Sequence, residues 1–114
     1  MLLNDIKTKL EKIDSIVCYG VADNKLMQMD WNYIVFSRSK LTSSQNKTAY
    51  SDYFDVAIIR EHFIPEGIDE QVIEKMQEIK GVRLAGDGTY HYAQKPNTNI
   101  VVEMLTLPFV RARK

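Results

Sequence analysis

The sequence has 114 residues, with fifteen Lys and Arg against fifteen Asp and Glu, two histidines and one cysteine. That length suits one domain built around one core. The zero balance of charge argues against a general nucleic-acid binder, which needs a basic excess to displace counterions from phosphates, and against a polybasic membrane-surface protein. A lone Cys18 cannot close an internal disulfide, and within Ile16-Val17-Cys18-Tyr19 it reads as a small buried hydrophobe. The opening Met1-Leu2-Leu3-Asn4-Asp5-Ile6-Lys7 lacks the basic start and apolar run of a signal peptide. No window approaches a membrane span, so the cytoplasm is the expected location.

Leu3, Ile6, Leu10 and Ile13 fall at helical spacing, with Asn4 placed as N-cap and Asp5 and Lys9 as an acid–base pair four apart. Ser15 to Ala22 is rich in strand formers, and Asp23-Asn24 signals a turn. Lys25 to Asp30 fits either a short helix or an extended connector. Trp31 to Phe36 is apolar on both faces, which predicts a central or covered strand. Ser39 to Thr48 is polar and reads as an exposed loop between strands. Tyr53 to Arg60 alternates, with Phe54, Val56 and Ile58 on one face and Tyr53, Ala57 and Ile59 on the other.

After the break at Pro65-Glu66-Gly67, Ile68, Val72, Met76 and Ile79 mark a second amphipathic helix, with Gly81 placed to end it at C′. Val82 to Ala85 and Thr89 to Tyr92 flank Gly86-Asp87-Gly88, which predicts a hairpin with positive φ angles at the turn. Lys95 to Asn99 is a second turn. Ile100 to Leu107 is the last strand, closed by Pro108, and residues 109–114 read as a frayed basic tail. The chain is thus expected to form one α+β domain over residues 1–114. Two helices would pack on one face of a mainly antiparallel sheet of about four to six strands.

The search for chemistry assigns no catalytic, cofactor-binding or metal-ligating residue. His62 and His91 stand in no metal-binding motif, and Gly86-x-Gly88 lacks the helix that a phosphate loop requires. No nucleophile elbow is present. Arg60-Glu61-His62 offers a small-nuclease alternative, and as a charged cluster at a strand end it also reads as a solvated edge. Tyr90 and Tyr92 share a face, but few arginines accompany them and the RNA-binding consensus is missing, so cross-strand packing is the simpler account. One charge row stands out. Glu70, Glu74 and Glu78 recur every fourth residue, a spacing that opposes an isolated helix. The row is either a solvated face or a surface for a basic partner. Candidate counterparts are Arg38 and Lys40 within Arg38-Ser39-Lys40, and Arg111 and Arg113 beside Lys114.

Several stretches resemble small structural proteins of tailed bacteriophages and prophages. They are Val17-Cys18-Tyr19-Gly20 after a short helix, Trp31 to Arg38, and Tyr53 to Glu61 followed by Ile64-Pro65-Glu66-Gly67. The sequence is most similar to tail terminator, or tail completion, proteins of long-tailed phages of Gram-positive bacteria. The resemblance implies a sheet with helices against it, no enzymatic role and no cofactor. It implies a ring, commonly of six subunits and formed in some cases only on the tail. That ring would cap the tail tube in the host bacterial cytoplasm during assembly and sit at the head-proximal end of the virion tail. Its partners would be other copies of itself, the tail tube protein and head–tail connector proteins, with no membrane or specific nucleic-acid contact. A neighbouring head–tail joining protein has a related structure. A cytosolic small-molecule or peptide-binding domain is the rival from another class.

Overall fold

In the computed structural model, residues 2–21, 30–43 and 49–113 are described. The centre of the sheet is β3 (Tyr50–Glu61) against β6 (Val101–Arg113), antiparallel from Tyr50↔Arg113 to Glu61↔Val102. Outside β3 lies β2 (Tyr33–Ser43), antiparallel to it, and outside that β1 (Val17–Tyr19), parallel to β2. On the other side of β6 lie β4 (Val82–Leu84) and β5 (Thr89–Gln94), both antiparallel to it. The helices are α1 (Leu2–Leu10) and α2 (Ile68–Gln77). This is the expected α+β fold, a six-stranded, mostly antiparallel sheet with two helices.

Strand alternation builds the core. Phe54, Val56 and Ile58 of β3 share one face with Ile34 and Phe36 of β2 and with Leu105, Leu107 and Phe109 of β6. Both helices pack on that face through Ile6 and Leu10 of α1 and Val72 and Met76 of α2, all fully buried. The other face carries a smaller cluster of Tyr33, Ile59 and Val102, with Trp31, Val35, Ala57 and Met104 at its margin. Cys18 is half-buried against this second cluster. The two-sided apolar character of Trp31 to Phe36 thus has a structural use, although the strand begins at Tyr33.

Five local expectations are corrected. The helix starts at Leu2, so Asn4 lies within its first turn and does not cap it. α2 ends at Gln77 with Glu78 as C-cap, and Gly81 (φ 84°) serves the turn into β4, where the Val82 amide donates to the Ile79 carbonyl at 3.1 Å. Ser39 to Ser43 continue β2, because β3 extends back to Tyr50 and pairs with them; residues 44–48 of the expected loop lie outside the described residues. The Asp23-Asn24 turn and most of the ambiguous Lys25–Asp30 stretch lie outside them too.

The fourth correction concerns the hairpin. β4 and β5 do not pair with each other. They lie end to end along β6, with Leu84 opposite Phe109 and Thr89 opposite Thr106. Residues 85–88 therefore span the two positions 107 and 108, a local bulge in the edge. Gly86 and Gly88 are not among the residues with positive φ. Gly88 is needed for closeness: a Cβ there would stand 2.9 Å from a Leu107 methyl and 3.0 Å from a Leu105 methyl. Gly88→Val is accordingly expected to lower stability by about 1–3 kcal/mol through overpacking, read from urea denaturation midpoints. A midpoint equal to the parent's would show that both leucines step aside freely. The genuine hairpin is β5–β6, closed by the expected turn at Lys95 to Asn99, where the Lys95 amide donates to the Ile100 carbonyl at 2.9 Å.

The fifth correction is the C-terminal segment. Residues 109–113 are strand, with Phe109 wholly buried and stacked on Phe54 at 6.1 Å between ring centres. Pro108 does not end the strand. Its carbonyl accepts the Ala85 amide at 2.8 Å, so the N–H that proline lacks would also point to the bulged side, where no regular ladder runs.

Candidate functional site

The helix-bearing face continues past the helices at one end of the sheet, and there it turns from apolar to charged. Asp52 of β3 stands opposite Arg111 of β6, one alternation beyond the Phe54–Phe109 pair. Arg113 follows on the same face and grips Asp52 with two hydrogen bonds, Nε to Oδ2 at 2.7 Å and Nη2 to Oδ1 at 2.8 Å. Those bonds hold the Asp52 carboxyl below its ordinary range, against a smaller opposing effect of partial burial, and the charges of Arg38 and Arg111 lower it further. A folded-state value below the unfolded one means the pair stabilises at neutral pH and is lost as pH falls through that lowered value.

Around this carboxylate lies an open groove of about 790 Å³. Arg38, Lys80, Arg111 and Arg113 line it, together with Leu2 and Leu3 at the start of α1. Four cations against one carboxylate leave the groove strongly basic. The Arg111 side chain lies against Gly81, whose φ of 84° rather than any lack of room favours glycine, since a Cβ there would be at an ordinary 3.6 Å from Arg111 Cγ. On the same face, Leu41 (opposite Asp52) and Tyr50 (opposite Arg113) are 54% and 45% exposed, so apolar surface adjoins the charges.

The structure thus brings Arg38, Arg111 and Arg113 together from separate strands. It does not bring Lys40 with them. In a regular strand Arg38 and Lys40 would share a face, but the register shifts between them. Lys40 comes opposite Tyr53 and its Nζ lies 4.7 Å over that ring, while Arg38 enters the groove. Sequence reasoning missed Asp52 and Lys80. Neither carries a motif, and only the β3–β6 register makes Asp52 the centre of the cluster.

The acidic row divides similarly. Glu78 is already used within the chain: it accepts a hydrogen bond from Lys9 at 2.7 Å, with Lys75 at 3.5 Å, and Lys9 chiefly lowers its pKa. Neither expectation for the row, a solvated face or a surface for a basic partner on another chain, therefore describes Glu78. Glu70 and Glu74 remain exposed, and their carboxylates form no ion pair with a described residue. α2 ends at Gln77, three residues before Lys80 of the groove, so Glu70 and Glu74 belong to the helix that leads into it, and neither lines it.

Arg60, Glu61 and His62 do not converge. Arg60 pairs with Asp14 at 2.8 Å and donates to the carbonyls of Ile59 at 2.9 Å and Tyr33 at 3.3 Å. Glu61 accepts the Trp31 amide and, at 3.0 Å, Lys95, and these bonds in that order lower its pKa. His62 turns outward with φ 74°. His91 is exposed on β5. Tyr90 and Tyr92 are exposed as well, and the Tyr92 hydroxyl donates to Glu103 at 2.7 Å.

Fold and surface together define an α+β domain with a basic groove at one end of its sheet and an acidic helix edge. No protein-family model matches the chain, and no curated protein matches it either. No helix among the described residues is long and apolar enough to cross a membrane.

Proposed function

We propose that the protein is a non-catalytic virion subunit, a phage or prophage tail terminator that assembles as a ring at the head-proximal end of the tail. The observation that carries this reading is the presence of two unlike charged patches on one subunit. Three of the four basic residues expected to meet a partner converge on one groove, while Glu70 and Glu74 stand exposed on α2 and do not line it. A closed ring requires such a heterologous contact, in which one patch meets a different patch on the next copy. The α+β architecture, with both helices on one face, agrees with the resemblance in the strand sequences.

The test is deletion of the gene from a phage or prophage that encodes it. Tails of uncontrolled length that fail to join heads are expected, and added purified protein should restore joining. Normal tails and full infectivity in the deletion would overturn the proposal. The rival reading, a domain for a small anion or acidic peptide, draws on the same groove. It is favoured if citrate or a short acidic peptide binds saturably to the isolated protein and the deletion leaves tails unchanged.

A further inference from the structure

Resting on that reading, we infer that the ring contact seats the exposed edge of α2 from one copy, Glu70 and Glu74, in the basic groove of the next, on Arg38, Lys80 and Arg111. Arg113 is left out because its charge is already compensated by the Asp52 carboxylate that it grips. Arg38, Lys80 and Arg111 form no ion pair with a described residue, and neither do Glu70 and Glu74. Cations gathered at this density repel one another, so an anion that enters relieves that repulsion as well as making its own bonds.

The surroundings of the groove select the class of partner. Leu41 and Tyr50 lie exposed on the same face, which suits a protein surface better than a phosphate chain. The chain as a whole is neutral, so its basic groove is matched by acid elsewhere on the same molecule. Spacing is compatible too. Residues four apart on a helix are about 5–6 Å apart at Cβ. Arg38, opposite Phe54, and Arg111, opposite Asp52, stand on the strands flanking β3, offset by two residues and so roughly 12 Å apart by strand geometry. The glutamate pair fits within that gap, and the cations on either side of it set the register. Glu78, held by Lys9, stays outside the contact.

The test is a charge exchange, measured by sedimentation of the protein alone and by its retention on purified tails. Arg111→Glu and Glu74→Arg are each expected to weaken association about tenfold or more, and the chain carrying both to recover most of that loss. Each variant must melt like the parent. Any that does not is replaced by Arg111→Gln or Glu74→Gln, for which loss at low salt is expected and equal assembly counts against the contact. If the parent assembles while the double exchange is no better than either single change, the inference is overturned and the ring reading survives. If the parent assembles neither alone nor on tails, the ring reading itself fails. If a single-stranded oligonucleotide binds the parent and Arg111→Glu abolishes this while Glu74→Arg assembles normally, the groove is a phosphate surface and the inference is again overturned.

Discussion

Removal of residues 109–114 is expected to abolish cooperative folding. Phe109 is fully buried and stacks on Phe54, and the loss of one such ring costs about 3–5 kcal/mol by itself. Val110, only 4% exposed, goes with it. β4 pairs only with residues 109–111, so Val82 would lose the strand that holds it in the core. The Asp52–Arg113 pair disappears as well. Set against the 5–15 kcal/mol typical of a whole domain, these losses are decisive. Circular dichroism of the truncated chain should show no sigmoidal urea transition. Phe109→Ala should keep one, at a midpoint far below the parent's. A truncated chain with the parent's midpoint would mean that residues 109–113 do not belong to the folded sheet.

The second large effect concerns Arg60 and Asp14. Their side chains are 11% and 12% exposed, and the guanidinium also serves two carbonyls, so it joins the turn after α1 to the start of β2 and the end of β3. Asp14→Ala would leave a largely dehydrated cation without its counter-charge, a loss of about 3 kcal/mol. Replacing both partners by apolar groups, Asp14→Leu with Arg60→Met, should recover part of it, because the desolvation of both charges is then avoided. A double-mutant cycle in urea should give a coupling above about 1 kcal/mol. Additive single and double changes, each under about 0.5 kcal/mol, would show that the pair is a surface contact in practice.

Features dictated by local period were legible in the sequence. Phe54, Val56 and Ile58 lie on the core face, with Ile59 on the other side, as alternation required. Ile68, Val72, Met76 and Ile79 pack as the spacing of an amphipathic helix demands. Features dictated by long-range register were not. Gly86-Asp87-Gly88 has the composition of a hairpin turn, but the long edge of β6 competes for both flanking segments and wins. Pro108 resembles a strand terminator until one knows that its missing N–H faces a bulge. Arg38 and Lys40 look like one basic patch, and a single shift in register sends them to opposite faces. The groove draws on both ends of the chain and on β2, so no stretch of sequence contains it.

The break between β4 and β5 has a further consequence. An uninterrupted outer strand is a template on which a foreign strand can grow by main-chain bonding, indifferent to sequence. Here that margin is cut into a stretch of three residues and another of six, separated by the protrusion at residues 85–88. An incoming chain cannot follow it in one register. Growth from this side of the molecule into endless fibrils is blocked by geometry, and any association there must be chosen by side chains and thus can be finite.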